Sequence, residues 1–135
     1  MATKVFINLP VKDLQRSTDF FRQLGFSFNP QFSDDKASCM VISDHIYSML
    51  LTEEYFKTFT SKQVSDAKKA TEVLIALDAT SKEEVVSLVD KAVRAGGAIY
   101  AAPQDHGWMY QHGFEDLDGH QWEIAYMGLD KLPSE

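Results

Sequence analysis

Glu123 is a carboxylate in the middle of Gln121-Trp122-Glu123-Ile124-Ala125-Tyr126, a run otherwise suited to a core strand. An acid in such a place acts as a metal ligand, as a general acid/base, or simply as a solvated strand residue. Just upstream, Asp116-Leu117-Asp118-Gly119 has the composition of a tight reversal, because Gly tolerates positive φ and Asp side chains bond nearby backbone. If that turn closes with Glu115 paired to His120, His112 stands opposite Glu123, and Tyr110 and Trp108 continue the same row. A carboxylate beside an imidazole raises its basicity, which suits proton transfer near neutral pH. The same pair also serves as a plain cross-strand salt bridge in a wet groove. Both readings stay open.

Other chemically capable residues carry less. His106 and His112 in Pro103–Gly113 fit no common zinc spacing, and His106 reads as a turn or rim residue. His45 reads as part of a hairpin end and His120 as a neighbour of the turn. Cys39, within Ser38-Cys39-Met40-Val41, reads as a small buried hydrophobe rather than a nucleophile. Neither a Ser-His-Asp arrangement nor a phosphate-cradling glycine loop is evident.

The elements that must hold these residues fit one domain, since 135 residues suffice for one core and not for two ordinary ones. A hydrophobic content of 44% with 24% charged residues is a globular balance. The net charge of −7 argues against nucleic acid and anionic membranes as partners. One cysteine precludes an internal disulfide and fits a reducing compartment. With no leader-like start and no long apolar span, the expected location is cytoplasmic.

Val5–Leu9 reads as a strand closed by Pro10, and Asp13 as the cap of a helix over Leu14–Leu24 ended by Gly25. Strands are expected at 26–32, 38–43 and 46–52. A second cycle starts with a strand over Glu72–Leu77. Ser81 and Glu84 form a capping box for a helix whose buried face is Val85, Val86, Leu88, Val89, Ala92 and Val93, and Gly96-Gly97 stops it. Strands at 98–101, 108–115 and 120–126 follow. "VFINL" at Val5 and "VLIAL" at Val73 begin the two cycles, 68 residues apart, so the chain reads as two βαβββ modules. Module one spans about 4–52, a connection 53–70, module two about 71–127, and a tail 128–135. The connection, with Tyr55, Phe56 and Phe59 at helical spacing, reads equally as a lid or as a surface helix.

Leu9-Pro10-Val11-Lys12-Asp13-Leu14 leading into Ser17–Phe21 and Leu24-Gly25-Phe26, with the closing Asp116-Leu117-Asp118-Gly119-His120 and Trp122-Glu123-Ile124, resembles the vicinal oxygen chelate superfamily. That superfamily includes glyoxalase I, extradiol dioxygenases, fosfomycin resistance enzymes and bleomycin-binding resistance proteins. The resemblance implies an α+β fold in which the two modules form curved mixed sheets around a concave cup, with helices on the outer faces. It also implies a homodimer.

In the family's metal enzymes, His and Glu ligands line the cup and leave open positions for substrate oxygens. Carried over residue by residue, the resemblance places Phe6, Leu50 and Leu74 at three ligand positions, and Glu123 alone keeps a ligand-type side chain. Phenyl and butyl groups donate no lone pair, so no cofactor is expected, a divalent metal being the alternative. Strand alternation then adds Asn8 beside Phe6, and Glu72 beside Leu74, to the cup-facing rows. Phe6, Asn8, Leu50, Glu72, Leu74, Trp108 and Tyr110 are the expected ligand-binding residues, with Glu123 and His112 as the acid/base pair. The expected function is metal-independent binding of a small apolar or aromatic molecule. The alternative is a lyase, isomerase or dioxygenase using an atypical metal site or the His112/Glu123 pair.

Overall fold

Alternating side chains explain most of the first half of the chain. β1 (Val5–Val11) buries Leu9 and Val11 while Phe6 and Asn8 stay exposed, so one face is covered and the other open. The covering element is α1 (Leu14–Gln23), whose buried residues include Thr18, Phe20 and Phe21. Asp13 caps it, accepting a hydrogen bond from the Arg16 amide at 3.1 Å. In the computed structural model, which describes residues 1–128, this first compact unit runs from Met1 to Asp66 and the second begins at Ala67. Apart from Gly128, the tail expected at 128–135 lies outside the described residues.

Unit one holds a four-stranded sheet in the order β1-β4-β3-β2, with β2 at Ser27–Asn29, β3 at Ala37–Val41 and β4 at Ile46–Thr52. β1 pairs parallel with β4, and the other pairs are antiparallel. β1 was expected to stop at Pro10 but continues to Val11. The Val5 amide donates to the His45 carbonyl, so by alternation the Phe6, Asn8 and Pro10 nitrogens point to the outer edge and proline costs no ladder bond. The expected strand over 26–32 is only three residues long, because Pro30 turns the chain into a single 3₁₀ turn through Phe32. The connection after β4 is not a full helix, and from 60 to 73 it holds no helix or strand. A one-turn α2 (Glu53–Phe56), capped by Thr52, runs into a 3₁₀ turn ending at Phe59.

Unit two repeats the plan with the sheet order β5-β8-β7-β6: β5 (Leu74–Ala79), β6 (Gln104–Asp105), β7 (Met109–Glu115) and β8 (Gln121–Met127). Its α3 (Lys82–Arg94) is capped by Ser81, which accepts from the Glu84 amide at 3.0 Å. The Glu84 carboxylate reaches the Thr80 amide rather than that of Ser81, so the capping box is only half formed. Val85, Val89 and Ala92 are buried as expected, whereas Val86 and Val93 are exposed. β5 begins two residues later than expected, and Ala98 contributes only a single bridge to Glu115 instead of a strand.

The largest departure lies in the β7–β8 turn. Asp116 pairs with His120, leaving a three-residue loop, Leu117-Asp118-Gly119, with Gly119 at φ +90°. The Asp116 side chain, buried and 6% exposed, accepts from the Asp118 and His120 amides at 3.0 Å each and from Trp122 Nε1 at 3.1 Å. The strands therefore pair Glu115 with Gln121 and Gly113 with Glu123, one residue away from the expected register. A one-residue slip sends every side chain of a strand to the opposite face.

No helix among the described residues is long and apolar enough to cross a membrane.

Candidate functional site

Trp122 and Ile124 are buried, together with Phe114, on the face of the second sheet that α3 covers. Alternation sends Gln121, Glu123 and Ala125 to the other face, as the sequence implies. There Glu123 is flanked by Ala76 of β5 on one side and Gly113 of β7 on the other, so two minimal side chains leave its carboxylate standing clear. Gln111 orients it, donating from Nε2 to Glu123 Oε2 at 3.0 Å. A matching pair lies next along the strands, where Gln121 Nε2 donates to Glu115 Oε1 at 3.1 Å. Asp78, opposite Ala125, adds a third acid to this face.

Tyr100 completes the site. Its ring lies over Gly113, where a Cβ would come within 2.5 Å of the phenol oxygen, and the hydroxyl donates to the Trp122 carbonyl at 3.4 Å. Burial pushes the Tyr100 phenol up from its ordinary value, and the negative charges of Glu123 and Glu115 push it further. A niche of about 70 Å³ opens between Tyr100, Gln104, Gln111 and Glu123. That is space for a polar head group rather than for a whole ligand. Beyond it on the same face lies Leu74, 53% exposed. No lysine or arginine among the described residues forms an ion pair with Glu115, Glu123 or Asp78, because the pairs found are Lys82–Asp105 and Arg94–Asp90. Among the described residues, the acids of this face have no ion-paired base.

His112 lines the same niche as Glu123 but is not its cross-strand partner. It pairs with Ile124 in the register, and its Nε2 lies 3.0 Å from the Ala101 carbonyl oxygen at the edge of the niche. Tyr110 pairs with Tyr126 and carries Lys82 of α3 over its ring at 4.8 Å, so it is on the helix side. Trp108 precedes β7 and packs near His106, with ring centroids 6.5 Å apart. The acid/base pair and the aromatic row expected from a two-residue turn are thus replaced by Gln111, Gly113 and Glu115. Glu72 lies outside the β5 ladder, exposed in the segment before it.

In unit one, Phe6 is half exposed and stacks on Tyr47 with centroids 4.9 Å apart, next to exposed Asn8. Leu50 does not share that row. It is fully buried and in register with Leu9, which places it on the α1 side, and Tyr47 and Met49 occupy the open side of β4 instead. The reason is visible in β4, where Leu50 and Leu51 are both buried and blur the alternation. Cys39 is 1% exposed, and burial raises its thiol above the ordinary value, in keeping with a packing role.

Among the described residues no three His, Cys, Asp or Glu side chains converge as a metal site. Around Glu123 the niche offers two amides, a phenol and the His112 imidazole, whose Nε2 is engaged with the Ala101 carbonyl, a set short of the several imidazole and carboxylate ligands that hold a resident divalent ion. Sequence reasoning put Glu123 and Leu74 on the open face, where the structure has them, but did not single out Gln111, Glu115 and Tyr100. The signal that could have found the first two is Gly119, whose place at the end of the turn allows the three-residue loop.

A comparison with curated protein sequences gives no match. Among solved structures, a hypothetical protein from S. aureus is 33% identical, with a TM-score of 0.77 over 93% of this chain and 95% of that one. A glyoxalase/bleomycin resistance protein/dioxygenase family enzyme from Burkholderia phytofirmans PsJN matches at 19% identity and a TM-score of 0.77, over 90% and 96% of the two chains. A genomically encoded fosfomycin resistance protein from Listeria monocytogenes matches at 20% identity and a TM-score of 0.69, over 97% and 98%. The last two likenesses concern the fold. A family model covers residues 5–124, from the first residue of β1 to the buried Ile124 beside Glu123. With two repeated modules, two mixed sheets and that match, the chain belongs to the glyoxalase/bleomycin resistance protein/dioxygenase superfamily.

Proposed function

We propose that this protein binds a small cationic molecule with an apolar or aromatic body, without a resident metal, on the open face of its second sheet. The observation that carries this reading is Glu123. It is oriented by Gln111, flanked by Ala76 and Gly113, and neighboured by Glu115, with no ion-paired base on either acid among the described residues. A protonated amine would enter the niche and bond Glu123, a charge-assisted contact stronger than a neutral one. The amide oxygens of Gln104 and Gln111 offer further acceptors, and the apolar body would lie along Leu74. The net charge of −7 favours the approach of a cation and disfavours phosphate-bearing ligands.

Calorimetry with a panel of aromatic amines and their acetylated, neutral counterparts tests this. The amines should bind, Glu123→Gln should weaken them by roughly ten- to a hundredfold, as expected for loss of a hydrogen bond to a charged group, and added salt should weaken them further. Equal binding of amine and acetylated forms, or an unchanged affinity in E123Q, would rule the reading out. The expected assembly is a homodimer in a reducing, cytoplasmic setting, and sedimentation equilibrium measures the first of these.

A further inference from the structure

A second cavity lies in unit one, on the side of the sheet that α1 covers, and shares no lining residue with the Glu123 niche. It measures about 340 Å³ and is lined by Thr18, Arg22, Phe28, Pro30, Asp34 and Ser38, with Ser33 beside them. That volume is at the low end of pockets that hold small organic molecules, roughly 300–1,000 Å³.

The floor has a defined polarity. Thr18 Oγ1 donates its one proton to the Leu14 carbonyl at 2.7 Å, so in its 2.9 Å contact with Ser38 Oγ it must accept, and Ser38 donates. Both hydroxyl protons are then committed. What the two buried hydroxyls, 6% and 7% exposed, still offer to the cavity is lone pairs only. Ser33 Oγ is already engaged, donating to the Asn29 carbonyl and accepting from the Cys39 amide. A molecule reaching this floor must therefore bring a donor.

The walls have opposite charges. Arg22, in the last turn of α1, lies with its guanidinium carbon 5.3 Å from the centroid of the Phe28 ring, and no ion pair with a carboxylate is found for it among the described residues. Its fork of donors suits a carboxylate. Asp34 holds the backbone turn through one oxygen, Oδ1, which accepts from the Lys36 and Ala37 amides at 2.8 and 3.0 Å. Its negative charge faces the same cavity. Phe28 and Pro30 supply the apolar wall.

A cation for a carboxylate, an anion and acceptor-only hydroxyls for an ammonium, and an aromatic wall for a hydrocarbon side chain are complementary to one chemical class. We infer that this cavity binds an apolar α-amino acid, with its carboxylate on Arg22, its ammonium toward Asp34 and the Thr18–Ser38 hydroxyls, and its side chain on Phe28 and Pro30. The two sites have no lining residue in common, so either can fail without the other.

An NMR titration of the full-length protein with L-phenylalanine tests it, with phenethylamine and hydrocinnamate as ligands lacking the carboxylate and the ammonium respectively. The expected result is saturable shifts of the Thr18, Phe28 and Ser38 amides with the amino acid. As read at these three amides, each truncated ligand should bind about tenfold or more weakly, the loss expected for one charge-assisted contact. Arg22→Gln, at an exposed position, should weaken L-phenylalanine by a similar factor, and E123Q should leave it unchanged. No shifts at these amides, equal affinity of either truncated ligand as read at them, or an unaffected R22Q protein would overturn the inference.

Discussion

At the scale of single residues, the site depends as much on what is missing as on what is present. Gly113 has an ordinary negative-φ backbone and is needed for space alone, since a Cβ there would meet the Trp122 carbonyl oxygen and the Tyr100 hydroxyl at 2.5 Å each. A backbone carbonyl in the middle of a sheet cannot swing away. Gly113→Ala should therefore cost about 1–3 kcal/mol, the range for overpacking a well-filled site, and should displace Tyr100 from beside Glu123. Chemical denaturation gives the first quantity, and the phenol's titration followed by ultraviolet absorbance gives the second. A variant as stable as the parent, with an unshifted phenol, would contradict the packing described. Glu123 was legible as an open-face residue because Trp122 and Ile124, on either side of it, are so plainly core. Leu50 was not, because Leu51 beside it is equally apolar and the alternation in β4 gives no vote.

At the scale of elements, one turn decides the composition of the site. A loop of two residues at Asp116–Gly119 would have set His112 against Glu123, and the observed loop of three sets Gly113 there. The sequence shows that a turn exists but not how many residues it uses, because Asp-Leu-Asp-Gly serves both lengths. What fixes the longer form is the buried Asp116 carboxylate, which gathers two loop amides and the Trp122 indole. Burial raises the Asp116 carboxyl above its ordinary value, with the neighbouring His120 charge and these hydrogen bonds acting in the opposite direction. The folded state then binds this proton more tightly than the unfolded chain does. Stability from this group accordingly grows as pH falls from the raised value to the ordinary one near 3.8, and is lost as pH rises back through that window. Asp116→Asn should remove that slope. It should also cost about 1–3 kcal/mol, since an amide NH₂ set against the Trp122 indole N–H leaves a buried donor unpaired. Urea midpoints measured from pH 3.5 to 7 for both proteins would show parallel curves if this account were wrong. The helices, by contrast, were legible nearly to the residue, because Asp13 and Ser81 cap them through the backbone contacts their types predict.

At the scale of the whole molecule, the repeat of "VFINL" and "VLIAL" was enough to predict two modules, and each does carry one four-stranded mixed sheet. What distinguishes the modules chemically is not evident from the repeat. The open face of the second gathers Asp78, Glu115 and Glu123, whereas that of the first presents Phe6 against Tyr47 with Lys4 over the tyrosine ring at 5.8 Å. Charge segregation of this kind arises from register, which a one-dimensional pattern specifies only where one face is purely apolar.

Pro10 has a consequence for how the protein behaves in a crowded solution. The margin of β1 that turns away from β4 offers amides at Phe6 and Asn8 and then a gap, so a foreign strand zipping along it would run out of donors after two steps. The proline acts as an insulator against uncontrolled polymerisation while leaving the native ladder whole. Pro10→Val should keep the same circular dichroism spectrum yet scatter light sooner on concentrated storage. Identical clouding times for the two proteins would show that the safeguard lies elsewhere.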